Sequence, residues 1–334
     1  MKAAYWIISA AITVAGIGMM AEGHKLMRRS VKAESVSDGQ SVRTEHFASA
    51  KNIGVDLGSS EIRILTAKDA EDITVSVINP RDTLIIECND DTLTVREKTE
   101  FSLFNFGGNT KRMQTTITVP EGTAFEDVSI DLGSGDVSEM SSLSMQTLDV
   151  ELGSGNAVLR DLNISGNCRM YTGSGDASAE QCRVGGDVWL QNGSGNFSLN
   201  GCDFRENLDI QTGSGNMKLF DTRLAKDMTM TCGSGNLTGG NLEIGGQTYW
   251  NFGSGNAAID GFKPADDVII DLGSGNVSLT LTGKEEDYGY DTMEISGSVV
   301  IGGKKLKEVE DIRKGKPTIT VKGGSGDVKI DFAQ

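Results

Sequence analysis

From Ile130 onward, apolar and polar residues alternate in short runs, and the runs recur at a fixed interval. One slot is apolar in every copy: Ile130, Val150, Met170, Leu190, Ile210, Met230, Trp250 and Ile270. Two residues ahead of it stand Leu148, Cys168, Val188, Leu208 and Met228. Further on come Val137, Ala157, Ala177, Phe197, Met217, Leu237, Ala257 and Val277, and later in the unit Leu162, Cys182, Cys202 and Leu242, then Ile164, Val184, Phe204, Leu224 and Ile244. A period of two broken by gaps predicts short strands separated by turns, about three to a unit. A helix would need recurring spacings of three and four, which the chain lacks.

The interval is marked by Gly-Ser-Gly. Its first glycine falls at Gly133, Gly153, Gly173, Gly193, Gly213, Gly233, Gly253 and Gly273, a spacing of 20 without insertion. A fixed period of this length predicts a repeat architecture. Equal short strands should stack coil on coil as a parallel β-solenoid, with coils ~4.8 Å apart. Like residues then lie above like residues. The residue after each Gly-Ser-Gly is Asp136, Asn156, Asp176, Asn196, Asn216, Asn236, Asn256 or Asn276, which predicts a hydrogen-bonded corner ladder. The glycines are expected to supply positive φ at that corner.

Outside residues 130–289 the pattern weakens. Residues 1–21 hold an uncharged run, Ala3 to Ala21, long enough for one hydrophobic N-terminal helix of ~28 Å, about a bilayer core. It reads as a transmembrane anchor, with a cleaved signal as the alternative. Residues 22–50 read as a polar linker. Residues 51–129 carry strand-like runs at irregular spacing and read as an N-terminal cap with imperfect coils. Residues 290–334 read as a C-terminal cap, with "SVVIGGKKL" a hairpin and "GGSGDVKI" a return of the repeat motif. "VDLGSS" at Val55 looks like a phosphate cradle, but it matches "IDLGSG" at Ile130 and Ile270 and is better read as a divergent first coil. No GxxxxGK[ST] motif occurs.

Composition narrows the chemistry. The chain has 334 residues, 43 glycines, 4 prolines and a net charge of −16. That acidity argues against nucleic acid as a partner, which needs a basic footprint. Five cysteines without a CxxC do not form a zinc site or a disulfide framework, and both histidines, His24 and His46, lie near the amino terminus. No cofactor or metal is expected. The corner residues are mostly neutral Asn, and the charged Asp136 and Asp176 stand two coils apart, a poor calcium site.

"TITVPEGTAFEDVSIDLGSGD" (Thr116 to Asp136), the tandem GSGN and GSGD units and "TITVKGGSGDVKIDF" (Thr318 to Phe332) resemble the bacterial putative-adhesin β-strand-repeat family, a domain of unknown function. The resemblance runs from Asn52 to Phe332. It implies a fold similar to right-handed β-helices, following one membrane segment or signal, and offers no catalytic residues.

The expected fold class is therefore all-β: a parallel, right-handed β-helix-like solenoid of 20-residue coils, preceded by one hydrophobic helix. The expected function is a non-catalytic, membrane-anchored rod presenting a binding surface, as an adhesin or envelope-interaction protein. A regulatory or envelope-stress accessory protein bound to a membrane partner is the alternative. A polysaccharide-active enzyme using outward carboxylates such as Asp149, Glu151, Asp209 and Asp271 is a third. Arg169, Tyr171, Trp189 and Tyr249 should point outward and form the binding face, for a glycan or an envelope protein; their structural alternative is to cover neighbouring coils. Trp250 and Phe252 should be core. Cys182 and Cys202 share a slot in adjacent coils, as stacked thiols or a disulfide. Lys25, Arg28, Arg29 and Lys32 after the apolar run favour a cytoplasmic rod by the positive-inside rule, against the extracytoplasmic placement that adhesion requires.

Overall fold

The computed structural model describes residues 29–36, 40–98, 111–307 and 309–333. They form 34 strands joined in one sheet system. The centre is a stack of parallel strands in register. Leu148 pairs with Cys168, Cys168 with Val188, Val188 with Leu208, and so on through Met228, Thr248 and Val268 to Ile319. Each coil turns through three strands. In one coil these are Cys168–Thr172, Ala177–Glu180 and Arg183–Val184. Each strand sits on its counterpart 20 residues earlier, because alternate side chains all point into the same interior. That interior is apolar at the first strand (Leu190, Ile210, Met230) and at the third (Ile164, Val184, Phe204), all buried. Trp250 and Phe252 are buried too, and the Trp250 ring stacks on Phe262 with centroids 5.3 Å apart.

The expected fold class needs correction. The chain is a mixed all-β sheet, and the described part opens with strands, not with a helix. The only helical piece among the described residues is the short 3-10 turn Glu285–Asp287. None of their helices is long and apolar enough to cross a membrane. The anchor or signal reading of Ala3 to Ala21 falls on residues outside those described. The polar linker is corrected as well: Arg29–Val36 and Gln40–Phe47 are strands. Gln40–Phe47 pairs antiparallel with Ile73–Ile78, which pairs antiparallel with Met113–Pro120. An added strand is held by main-chain bonds to its neighbour, so it needs little apolar periodicity of its own, and "QSVRTEHF" shows little.

The ends also depart from 20-residue spacing. Asn52–Leu57 lies directly against Ala124–Leu132, with Val55 paired to Ile130, so "VDLGSS" is a coil of the rod, not a phosphate cradle. The described residues between form an excursion whose strands cover the first coils. At the other end Val268–Leu272 receives Thr318–Lys322, and Val277–Thr282 receives Val328–Ala333. The antiparallel hairpin Val299–Ile301 with Lys304–Leu306 lies beside that last coil.

Candidate functional site

The corner ladder is continuous. Asp136 Oδ1 accepts the main-chain N–H of Asn156 at 2.8 Å; Asn156 Oδ1 accepts that of Asp176 at 2.9 Å; Asp176 Oδ1 accepts that of Asn196 at 2.8 Å. Asn196, Asn216, Asn236 and Asn256 repeat the contact up to Asn276, which accepts the N–H of Asp327 at 2.8 Å. At Asn156, Asn196, Asn216, Asn236 and Asn256 the Nδ2 donates to the same Oδ1, as at Asn236 onto Asn216 at 3.0 Å. Partial burial pushes the Asp136 carboxyl up, but the Asn156 N–H and the Arg112 guanidinium more than offset this and hold it below the usual carboxylate range.

The reason for the corner glycines differs from the one expected. Of the eight Gly-Ser-Gly corners in the 20-residue stack, only Gly275 has positive φ. What they share is contact with the coil below. A Cβ on Gly153, Gly173 or Gly193 would lie 2.2–2.3 Å from the carbonyl oxygen of Gly133, Gly153 or Gly173. At the second glycine the space is tighter: 1.5 Å from Gly155 to the oxygen of Gly135. Stacked main chains meet here without side chains between them, so only glycine fits.

A second ladder was not anticipated. Asn167 Oδ1 accepts the N–H of Asp187 at 3.0 Å; Asp187 Oδ1 accepts both the N–H and the Nδ2 of Asn207, at 3.1 and 3.0 Å. Asp227 and Gln247 continue it; the Asp267 N–H turns instead to Asp266 Oδ1, and the contact resumes where Asp267 Oδ1 accepts the N–H of Thr318. Its signal was available: Asp127, Thr147, Asn167, Asp187, Asn207, Asp227, Gln247 and Asp267 recur at the same interval of 20. Without an invariant glycine beside it, the column did not stand out.

The outward residues of the first strand form two columns. One runs Asp149, Arg169, Trp189, Asp209, Thr229, Tyr249; the other Glu151, Tyr171, Gln191, Gln211, Thr231, Asn251. The Arg169 guanidinium lies 4.9 Å from the Trp189 ring centroid, one coil apart. Tyr171, two residues along on the same face, is 42% exposed. Tyr249 is three strands beyond Trp189, ~14 Å at the usual strand spacing, and its hydroxyl donates to Asp271 Oδ2 at 3.1 Å. So the structure brings together Arg169, Tyr171 and Trp189, and leaves Tyr249 as a separate exposed ring on the same face.

Below this cluster the face turns acidic. Asp56, Asp131 and Glu151 stack on adjacent strands. Burial and then Asp56 raise the Asp131 carboxyl; burial, Asp131 and Asp149 raise that of Glu151. Elsewhere, the column Asn163, Arg183, Asp203, Arg223, Glu243, Lys263 pairs only near its top, where Glu243 meets Lys263 at 3.3 Å and Arg223 at 3.8 Å. Asp203 pairs instead with Arg205. His46 Nδ1 contacts Asp72 at 3.1 Å and Thr74 at 3.2 Å, remote in sequence from the first-strand face. Cys182 and Cys202 are free thiols, buried, with each Sγ donating to a main-chain carbonyl. Among the described residues no three His, Cys, Asp or Glu side chains gather to hold a metal ion.

Residues 50–331 match the family model described as Toastrack DUF4097. The chain belongs to the Toastrack DUF4097 family. No curated protein matches it. Solved structures similar to this Toastrack chain include a putative adhesin from Bacteroides fragilis, 16% identical, with a TM-score of 0.34, covering 88% of this chain and 98% of that one. A putative lipid binding protein from Parabacteroides distasonis is 15% identical, with a TM-score of 0.36 and coverage of 89% and 98%. A putative adhesin from Parabacteroides merdae is 12% identical, with a TM-score of 0.38 and the same coverage, 89% and 98%.

Proposed function

We propose that this chain is a non-catalytic, membrane-anchored β-rod that presents a binding surface for adhesion or other envelope contact. The observation that carries the reading is the Arg169–Trp189 stack with Tyr171 beside it. On a rod whose corner columns bond coil to coil, this cluster leaves aromatic surface and a cation at the exterior, the residue types that anchor recognition. The uncharged run Ala3 to Ala21 supports anchoring. The carboxylates of the face stack on like charges without a paired base or nucleophile, which supports a binding role over a hydrolytic one. In this reading the repeated GSGN and GSGD corners make the rod stiff enough to hold its face away from the membrane.

The test pairs two measurements on cells making the full chain. Protease added outside should clip the rod without permeabilisation, and the Tyr171→Ala, Trp189→Ala double variant should lose envelope material that the wild type retains on purification. Equal retention by both proteins refutes the contact set. Full protease protection in intact cells would favour the second reading, a regulatory accessory protein on the cytoplasmic side, which the cations Lys25, Arg28, Arg29 and Lys32 support.

A further inference from the structure

A trough of about 720 Å³ runs along the rod axis beside the corner ladder, on a face separate from the Arg169–Trp189 cluster. One wall is the ladder from Asn156 to Asn256; the other is the outward column Val158, Ser178, Ser198, Lys218, Thr238 and Ala258. Six consecutive coils line it, so it is ~24 Å long at one strand spacing per coil.

The geometry points to this trough as the binding groove for an uncharged, extended glycan chain laid parallel to the rod axis. Each ladder amide carries two Nδ2 hydrogens. In Asn156, Asn196, Asn216, Asn236 and Asn256 one of them bonds to the coil below. The other takes no bond among the described residues, leaving one amide donor on five of the six coils along the wall, all but that of Asp176. Ser198 and Thr238 add hydroxyls opposite, each able to donate and accept, and Ser178 Oγ, which donates to the Ala157 carbonyl at 3.5 Å, can accept. Main-chain groups are not on offer: the N–H groups of Ala157, Ala177, Phe197, Met217 and Leu237 all bond to the coil above. An extended peptide, which binds by main-chain pairing to a sheet edge, therefore has no partner here. A polymer with hydroxyl or amide groups on each ring does.

Charge points the same way. In a chain of net charge −16 the two walls carry one carboxylate, Asp176, and one cation, Lys218. That near-neutral strip neither selects nor excludes by charge, which suits an uncharged ligand. A row of equivalent donors rewards ligand length, since each added ring can meet a further coil. The inference goes beyond the proposed contact face and can fail without it.

The test uses the full chain in detergent, titrated with cellohexaose and with chitohexaose, and with the disaccharide of each series. At least one hexamer should bind, about tenfold or more tighter than its dimer, from the extra hydrogen bonds along the trough. Ser198→Trp puts a ring into the trough from a half-buried outward position and should weaken hexamer binding by about tenfold or more. The Ser178→Ala, Ser198→Ala double variant, which adds no bulk, should weaken it by a smaller factor with an unchanged melting temperature. Trp189→Ala should leave it unchanged. The proposal is overturned if neither hexamer binds, if dimers bind as tightly as hexamers, or if Trp189→Ala removes binding that both trough variants keep.

Discussion

Asn236 Oδ1 accepts two hydrogen bonds from Asn256, one from its main-chain N–H at 3.0 Å and one from its Nδ2 at 2.9 Å. One side-chain oxygen thus ties two successive coils at a corner where no apolar side chain can. Asn236→Leu removes both bonds and also the donation from Asn236 Nδ2 to Asn216. The corner is exposed, so water recovers part of the loss, and the expected destabilisation is about 1–3 kcal/mol. Urea unfolding measures it; an unshifted midpoint would mean that the ladder adds nothing that water does not supply.

The stacked glycines make a sharper case. A Cβ on Gly215 would lie 1.5 Å from the carbonyl oxygen of Gly195, whereas one on Gly54 meets nothing within 4 Å. Gly215→Ala must push two coils apart and should cost more than about 3 kcal/mol. Gly54→Ala, in a strand without positive φ, should be neutral or slightly stabilising. Thermal melts of the two variants side by side decide the matter, and similar melting temperatures would refute the close-packed corner.

The acidic stack predicts a pH dependence with a definite sign. Asp131 is raised above 3.8 in the folded chain by burial and by Asp56. A carboxyl raised on folding holds its proton more tightly when folded. Its contribution is therefore fully present below the unfolded value of 3.8 and is lost as pH rises through the folded value. Asp131→Asn should stabilise the chain at pH 7, and the gain should shrink toward pH 4. A stabilisation that is the same at both pH values would remove the carboxylate repulsion as its cause.

Thiol reactivity reports the stacking directly. Cys168, Cys182, Cys202 and Cys232 are buried, and Cys88 is partly exposed. Burial pushes the Cys168 thiol up to about 12, and the hydrogen bond to Cys202, with burial, raises that of Cys182. A maleimide at pH 8 should label Cys88 alone in the native chain, and all five cysteines in denaturant. Rapid native labelling at Cys182 or Cys202 would show that the coils open.

How far the sequence reached can be seen at particular residues. The pairing of Val150 with Met170 was legible because each coil repeats the same alternation at the same length. The Asn ladder was legible because its glycine neighbours mark it. The Asn167–Asp187 ladder was present in the same spacing but mixed Asp, Asn, Thr and Gln, so its chemistry showed only when the bonds did. The antiparallel strand Gln40–Phe47 was not legible, because Glu45 pairs with Val75 through main-chain bonds that any residue can make.

The sequence by itself determined where the chain turns and which side chains face inward, since both follow from local chemistry repeated at a constant interval. Only the tertiary structure decided why the corners must be glycine, which strands cover the first coils, and which outward residues meet. Gly155 needs its place because of Gly135, and Arg169 covers Trp189, through contacts between coils rather than along the chain. Periodicity encodes the stacking direction, but the distance between stacked backbones, and what can fit within it, exists only once the coils are in place.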